Sequence, residues 1–348
     1  MPPKILNGYF ENIYEDYSPD IKNHVLNYAK DGISEKFQVK LNNFKVAKLQ
    51  HLTSNMEHDI FYDGTVYTGS AGLSFYYVLN SLAKNEANNE TLKNALNYID
   101  IDNLKGRKIS FLCGDSGPLA LATVISYRLD KGKPESLPDY KTLAQRLISL
   151  VSLLNDSPDE LLYGKAGYLF ALLFVNKHIE GKDVIPASHI EKVINSILKS
   201  GKQFSVKMKS ASPLLWQWHD KIYLGAAHGI AGILYILLQL FQEDKYFKVA
   251  LKCGDAIWQR GLCSKGYSIC HGVSGNAYAF IQLFQITKKV LHLYRACCFM
   301  EWCAVERTGT ELHQPDRPAS LFEGLIGRLY LAEDMSCIMD AKFPAFTL

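Results

Sequence analysis

Six polar residues share one place in a recurring pattern: Thr68, Cys113, Tyr163, His228, His271 and Glu323 each stand immediately before a Gly-x-x-Gly block. Random core filling would put Leu or Ala there, whereas most of these types bind metals or carry protons. Cys270 precedes His271, so KGYSICHGVSG presents a Cys-His pair. The dipeptide alone is a weak metal signal, because a free Cys commonly serves as a small hydrophobe. A catalytic zinc takes three protein ligands and keeps one position open. Cys113 and His228 are candidates for the third ligand, with Cys263 on a neighbouring loop as an outsider. His228, in AHGIAG, carries an imidazole, the side chain suited to proton exchange near neutral pH; its bland alternative is a capping or core histidine. The two roles compete, since a metal-bound His228 could not also act as an acid.

The elements that must position these residues follow from the same blocks. First glycines stand at 69, 114, 164, 229, 272 and 324, and every block opens an apolar segment such as PLALATVISYRL or YLFALLFV. The intervals leave room for a second helix and two loops in each unit. Tyr140 to Leu154 places Leu143, Leu147, Val151 and Leu154 on one face, and Ile190 to Leu198 does the same with Ile190, Ile194 and Ile197. Amphipathic helices belong outside and all-round apolar ones inside, while alternating strand signatures are scarce. The chain therefore reads as all-α, an α/α toroid of six visible helix pairs that bring the six polar residues to one mouth. Residues 1–50 read as an N-terminal segment packing on the toroid and 51–348 as one toroid domain. Cys297, Cys298 and Cys303 read as filling of a helix interface, Trp216 and Trp218 as packing, and 202–212 as a basic loop.

Composition narrows the function. A content of 48% hydrophobic and 21% charged residues over 348 positions describes an ordinary globular chain. A net charge of +3 from 38 basic and 35 acidic residues provides no one-signed field, so nucleic acid is not an expected partner. The longest apolar stretches are shorter than a membrane span or are broken by Gly and Lys, and MPPKILNGYF lacks the apolar core of a secretory signal. Eight cysteines without such a signal point to a reducing compartment, with the cytosol as the expected address.

The sequence resembles the lanthionine synthetase C-like proteins, and their eukaryotic branch more than the bacterial cyclases. The matching stretches are SFLCGDSGPLA at 110–120, LLYGKAGYLFALLFVNK at 161–177, YLGAAHGIAGI at 223–233, KGYSICHGVSGNAYAF at 265–280, SLFEGLIG at 320–327 and KFPAF at 342–346, preceded by FENIYEDY at 10–17. The resemblance implies a toroid of seven helix pairs, a zinc ion held by two Cys and one His, and glutathione as the ligand of the eukaryotic members. It implies addition of the glutathione thiol to dehydroamino-acid residues of peptides or proteins, and peripheral contact with the plasma membrane.

Carried over residue by residue, Cys270 and His271 match the last two zinc ligands and His228 the proton-exchanging histidine. Lys265, Pro315 and Asp316 match glutathione contacts. His313 and Gln314 stand where family members usually carry Arg and Thr. The family's Trp-Cys-His-Gly block, source of the first zinc ligand, is missing between GILYILLQLF and QEDKYFKVAL. One helix pair is therefore expected to be absent near Leu240 to Asp244, leaving a ring of six units or an open one. The expectations are an incomplete zinc site, weak glutathione binding and slow thiol addition. The alternative is a non-catalytic glutathione-binding or scaffold protein; an α/α-barrel hydrolase is disfavoured because only Glu323 is acidic among the six polar residues.

Overall fold

A computed structural model describes residues 5–6, 8–83, 89–106, 108–129, 138–180, 184–238, 247–307 and 312–348. Regular structure among them is helical apart from β1 (Ile5–Leu6) and β2 (Tyr9–Phe10), a short antiparallel ladder with Ile5 opposite Phe10. The chain is all-α.

Helix α1 (Glu35–Asn55) starts where the Ser34 hydroxyl accepts the Phe37 N–H, and α2 (Glu57–Ile60) follows it. Helices α3 (Ser70–Ala83) and α4 (Asn89–Leu96) pack as a pair. So do α5 (Ser116–Leu129) with α6 (Tyr140–Ser149), and α7 (Lys165–His178) with α8 (Ala187–Lys207). Next come α9 (Ile230–Leu238) and α10 (Phe247–Arg260), then the packed pair α11 (Val273–Thr287) and α12 (Val290–Ala304), and last α13 (Leu325–Asp334).

Two compact units result: 1–62 with 243–343, and 63–242 with 344–348. In the first, α13 lies against α1, α11 and α12. The N-terminal segment joins this unit: the Phe10 N–H donates to the Leu262 carbonyl and the Asn12 amide to the Trp258 carbonyl. In the second, α5 packs on α3 and α7, and α7 on α9.

The division into apolar and amphipathic helices is visible in burial. Helix α5 is buried from Ser116 to Ser126, whereas α8 buries only Val193, Ile197, Gly201 and Ser205. Cys297, Cys298 and Cys303 are buried on α12, as core thiols should be. Two boundaries differ from expectation. The helix beginning at Tyr140 ends at Ser149 and tightens into a 3-10 turn over Leu150–Asp156. The stretch read as a basic loop from 202 is helical through Lys207, because no Gly or Pro interrupts it there and Gly201 is packed under the Trp216 ring.

Candidate functional site

The six Gly-x-x-Gly blocks fold alike, down to one hydrogen bond. In each, the residue after the first glycine donates its N–H to the carbonyl seven residues earlier: Ser70 to Asp63, Asp115 to Lys108, Lys165 to Pro158, Ile230 to Tyr223, Val273 to Gly266 and Leu325 to Pro318, at 2.7–2.9 Å. The loop thus curls over the start of its helix. Every first glycine is buried, while the polar residue before it is half-buried or, at His271, exposed. A second regularity fixes that polar residue. In five of the six blocks its N–H is accepted by a side chain three residues back: Thr65 for Thr68, Ser110 for Cys113, Glu160 for Tyr163, Ser268 for His271 and Ser320 for Glu323.

Glu160 uses its longer side chain for more than this. Its Oε1 accepts the Tyr163 N–H at 2.6 Å, and its Oε2 accepts the Leu162 N–H at 2.9 Å. The same Oε2 lies 2.8 Å from Nδ1 of His228. Glu160 is 1% exposed and His228 25%, so a buried carboxylate holds a partly accessible ring. Burial pushes the Glu160 carboxyl up from its ordinary value, and its hydrogen bonds to His228 and the two N–H groups oppose that shift. With Nδ1–H donated to Glu160, Nε2 is the nitrogen left to exchange a proton. Trp218 lies flat on the imidazole, with ring centres 4.0 Å apart and planes at 5°. Tyr163 adds a third nearly parallel ring, 5.8 Å from both, and Lys108 sits 5.1 Å from the Tyr163 centre.

Two of these residues were not read from sequence as functional. Trp218 was assigned to packing, which holds for Trp216, 4% exposed and donating to the Ile197 carbonyl. Trp218 instead forms one face of the His228 site. Glu160 was missed, although it stands three residues before Tyr163, where four other blocks carry Ser or Thr and the His228 block carries Gly225.

In the first unit, Sγ of Cys270 lies 3.0 Å from Nδ1 of His271. That contact raises the His271 pKa against the opposing effect of burial. Among the described residues no group of three His, Cys, Asp or Glu could hold a metal ion. Cys263 is engaged elsewhere, its sulfur 3.4 Å from the Asn276 amide nitrogen. The donor types at Cys270 and His271 suit zinc, but two donors do not complete a site that needs three. Lys265 and Pro315 line a cavity of about 300 Å³ together with His313, Gln314 and Glu323. Asp316 is outside that lining; its charge, after burial, raises the carboxyl of Glu323. Cys270, His271, Lys265, Pro315 and Asp316 thus share the first unit, and Cys113 and His228 belong to the second.

A family model described as lanthionine synthetase C-like protein matches residues 60–242 and 236–348. The chain belongs to that family. A Danio rerio relative named glutathione S-transferase LANCL1 is 34% identical over 351 residues, covering 82% of this chain and 85% of the relative. The aligned span exceeds the chain's own 348 residues while covering only part of them, so the relative carries residues there without a counterpart here. The family match itself breaks and resumes within 236–242. The expected absence of a helix pair falls at this place, and residues 239–246 lie outside the described ones.

Proposed function

We propose that this lanthionine synthetase C-like protein binds glutathione and adds its thiol to dehydroamino-acid residues of peptides or proteins. The observation that carries the reading is the Glu160–His228 pair, a buried carboxylate orienting a partly exposed imidazole whose other nitrogen can deliver a proton. In the addition, the thiolate forms a carbon–sulfur bond at the β-carbon, and the carbon–carbon π electrons move toward the α-carbon and carbonyl. The enolate so formed takes a proton at the α-carbon from His228 Nε2, and Glu160 stabilises the imidazolium that gives it up. Lys265 and Asp316 hold the charged ends of glutathione, with Pro315 shaping the loop. A relative's name, glutathione S-transferase, is in keeping with this chemistry.

Zinc is the cofactor that Cys270 and His271 would hold, and when bound it would lower the pKa of a coordinated thiol. With only two donors together among the described residues, no step of the addition is assigned to it. A free thiol titrates near 8.5, so only a few per cent is thiolate at pH 7, and addition is slow. The incomplete donor set and the interrupted family match also favour a second reading, a glutathione-binding protein without catalysis. No helix among the described residues is long and apolar enough to cross a membrane. A cytosolic address, with any membrane contact peripheral, goes with both readings.

Incubation with glutathione and a dehydroalanine or dehydrobutyrine peptide, followed by mass spectrometry, separates the two. The enzymatic reading expects adduct above the uncatalysed level, and glutathione binding with none above it establishes the second.

A further inference from the structure

The cavity beside Lys265 carries more charge than the residues matched to the family. Lys48, Arg307 and Arg328 also line it, with Glu306 and Glu323 as its carboxylates. Most of that charge is accounted for internally. Lys48 Nζ and Arg328 Nη1 both reach Oε1 of Glu306, at 2.5 and 3.1 Å, and Arg328 gives Nε and Nη2 to the Cys303 carbonyl. Arg307 is placed differently. Its guanidinium lies 4.4 Å from the Trp302 ring centre, a face that fixes its plane and leaves its edge for a ligand. Its backbone N–H is held by the Tyr267 hydroxyl at 3.0 Å. Among the described residues its buried Nε has no acceptor, and the buried Oε2 of Glu323 has no donor.

Buried polar atoms nearly always find partners. An orphaned donor and an orphaned acceptor on residues lining one cavity point to a ligand that supplies both a carboxylate and a cationic group. We propose that Arg307 is a specificity-determining residue that reads a carboxylate of the bound ligand as a planar fork, with Glu323 joining Asp316 at its ammonium group and Lys265 facing its second carboxylate. The ligand class is a small zwitterionic peptide with two carboxylates. The assignment rests on the glutathione reading above and adds a residue to it.

The test is calorimetric titration of the full chain with glutathione and with its two monoamides, each lacking one carboxylate. Arg307→Gln should weaken glutathione about 10- to 100-fold, the effect of losing a charge-assisted hydrogen bond. One monoamide should then bind the parent chain and the variant equally. Arg307→Lys, which keeps the charge and loses the fork, should reduce the discrimination between glutathione and that monoamide several-fold. Should Arg307→Gln not fold, unchanged discrimination in Arg307→Lys overturns the assignment. Equal glutathione affinity in the parent chain and Arg307→Gln overturns it while leaving the glutathione reading intact, and so does an equal loss for all three ligands. A parent chain that binds none of the three removes the glutathione reading and this assignment together.

Discussion

His228 is oriented from two directions, by the Glu160 carboxylate at Nδ1 and by the Trp218 ring against its face. The carboxylate selects the tautomer and supports the charged ring, so its removal should act on chemistry more than on binding. His228→Asn should lower adduct formation about 10²- to 10⁴-fold. Glu160→Gln should come close to this, since an amide can offer an N–H to Nδ1 and move the imidazole proton to the wrong nitrogen. Rates of adduct formation by mass spectrometry, with circular dichroism as the check on folding, measure both effects. His228 was legible in the sequence because its place before Gly229 repeats five other times. Glu160 was not, because its partner is 68 residues away and its local task, accepting the Tyr163 N–H, looks like that of Thr65 or Ser110. Aligning the blocks three residues upstream of each polar position sets Glu160, the one charged residue, beside Thr65, Ser110, Gly225, Ser268 and Ser320. Trp218 was hidden for another reason: a tryptophan beside a buried Trp216 carries no sign of which ring it will cover.

The repeated loop depends on close backbone approach at its glycines. A methyl group on Gly275 would collide with the Ile269 carbonyl, which sits over the first turn of α11. Gly275→Ala should therefore cost about 1–3 kcal/mol, read as a lowered denaturant midpoint. This explains why the starts of the helices were the most legible part of the fold: glycine followed by an apolar run is a local signal. Helix ends were less so, as α8 continues through a polar, Lys-rich segment where tertiary packing at Gly201 and Trp216 decides the boundary. The end of α13 gives a pH test. Asp334, half-buried as a residue, accepts from the Tyr278 hydroxyl at 2.8 Å and the Lys342 N–H at 3.1 Å. Burial pushes its carboxyl from 3.8 up to about 8. Between those values the folded chain binds the proton and the unfolded chain does not, so this group's contribution to stability falls as pH rises from about 4 to about 8. Asp334→Asn should flatten that fall, seen as a smaller change in Tm across the window than in the parent chain.

Over the whole chain, the all-α class and family membership were legible because the matching stretches run in order from FENIYEDY to KFPAF. The family pattern breaks once, within 236–242, and that break bears on the metal. Complete structural zinc sites supply roughly 10 to 16 kcal/mol, and a missing ligand removes several of these. Purified protein should accordingly hold less than one tightly bound zinc per chain by elemental analysis, with Cys270→Ala lowering the content further. A full equivalent that withstands chelation and persists in Cys113→Ala, Cys263→Ala and His228→Ala would show that the third ligand lies elsewhere. The central claim, a glutathione-adding protein whose proton passes through His228, is tested most directly by time-resolved mass spectrometry of glutathione and a dehydroalanine peptide with the parent chain and His228→Asn. Slow adduct formation above background that His228→Asn returns to background is the predicted result. Adduct formation at the same rate in both proteins, or none above background in the parent chain, would contradict it.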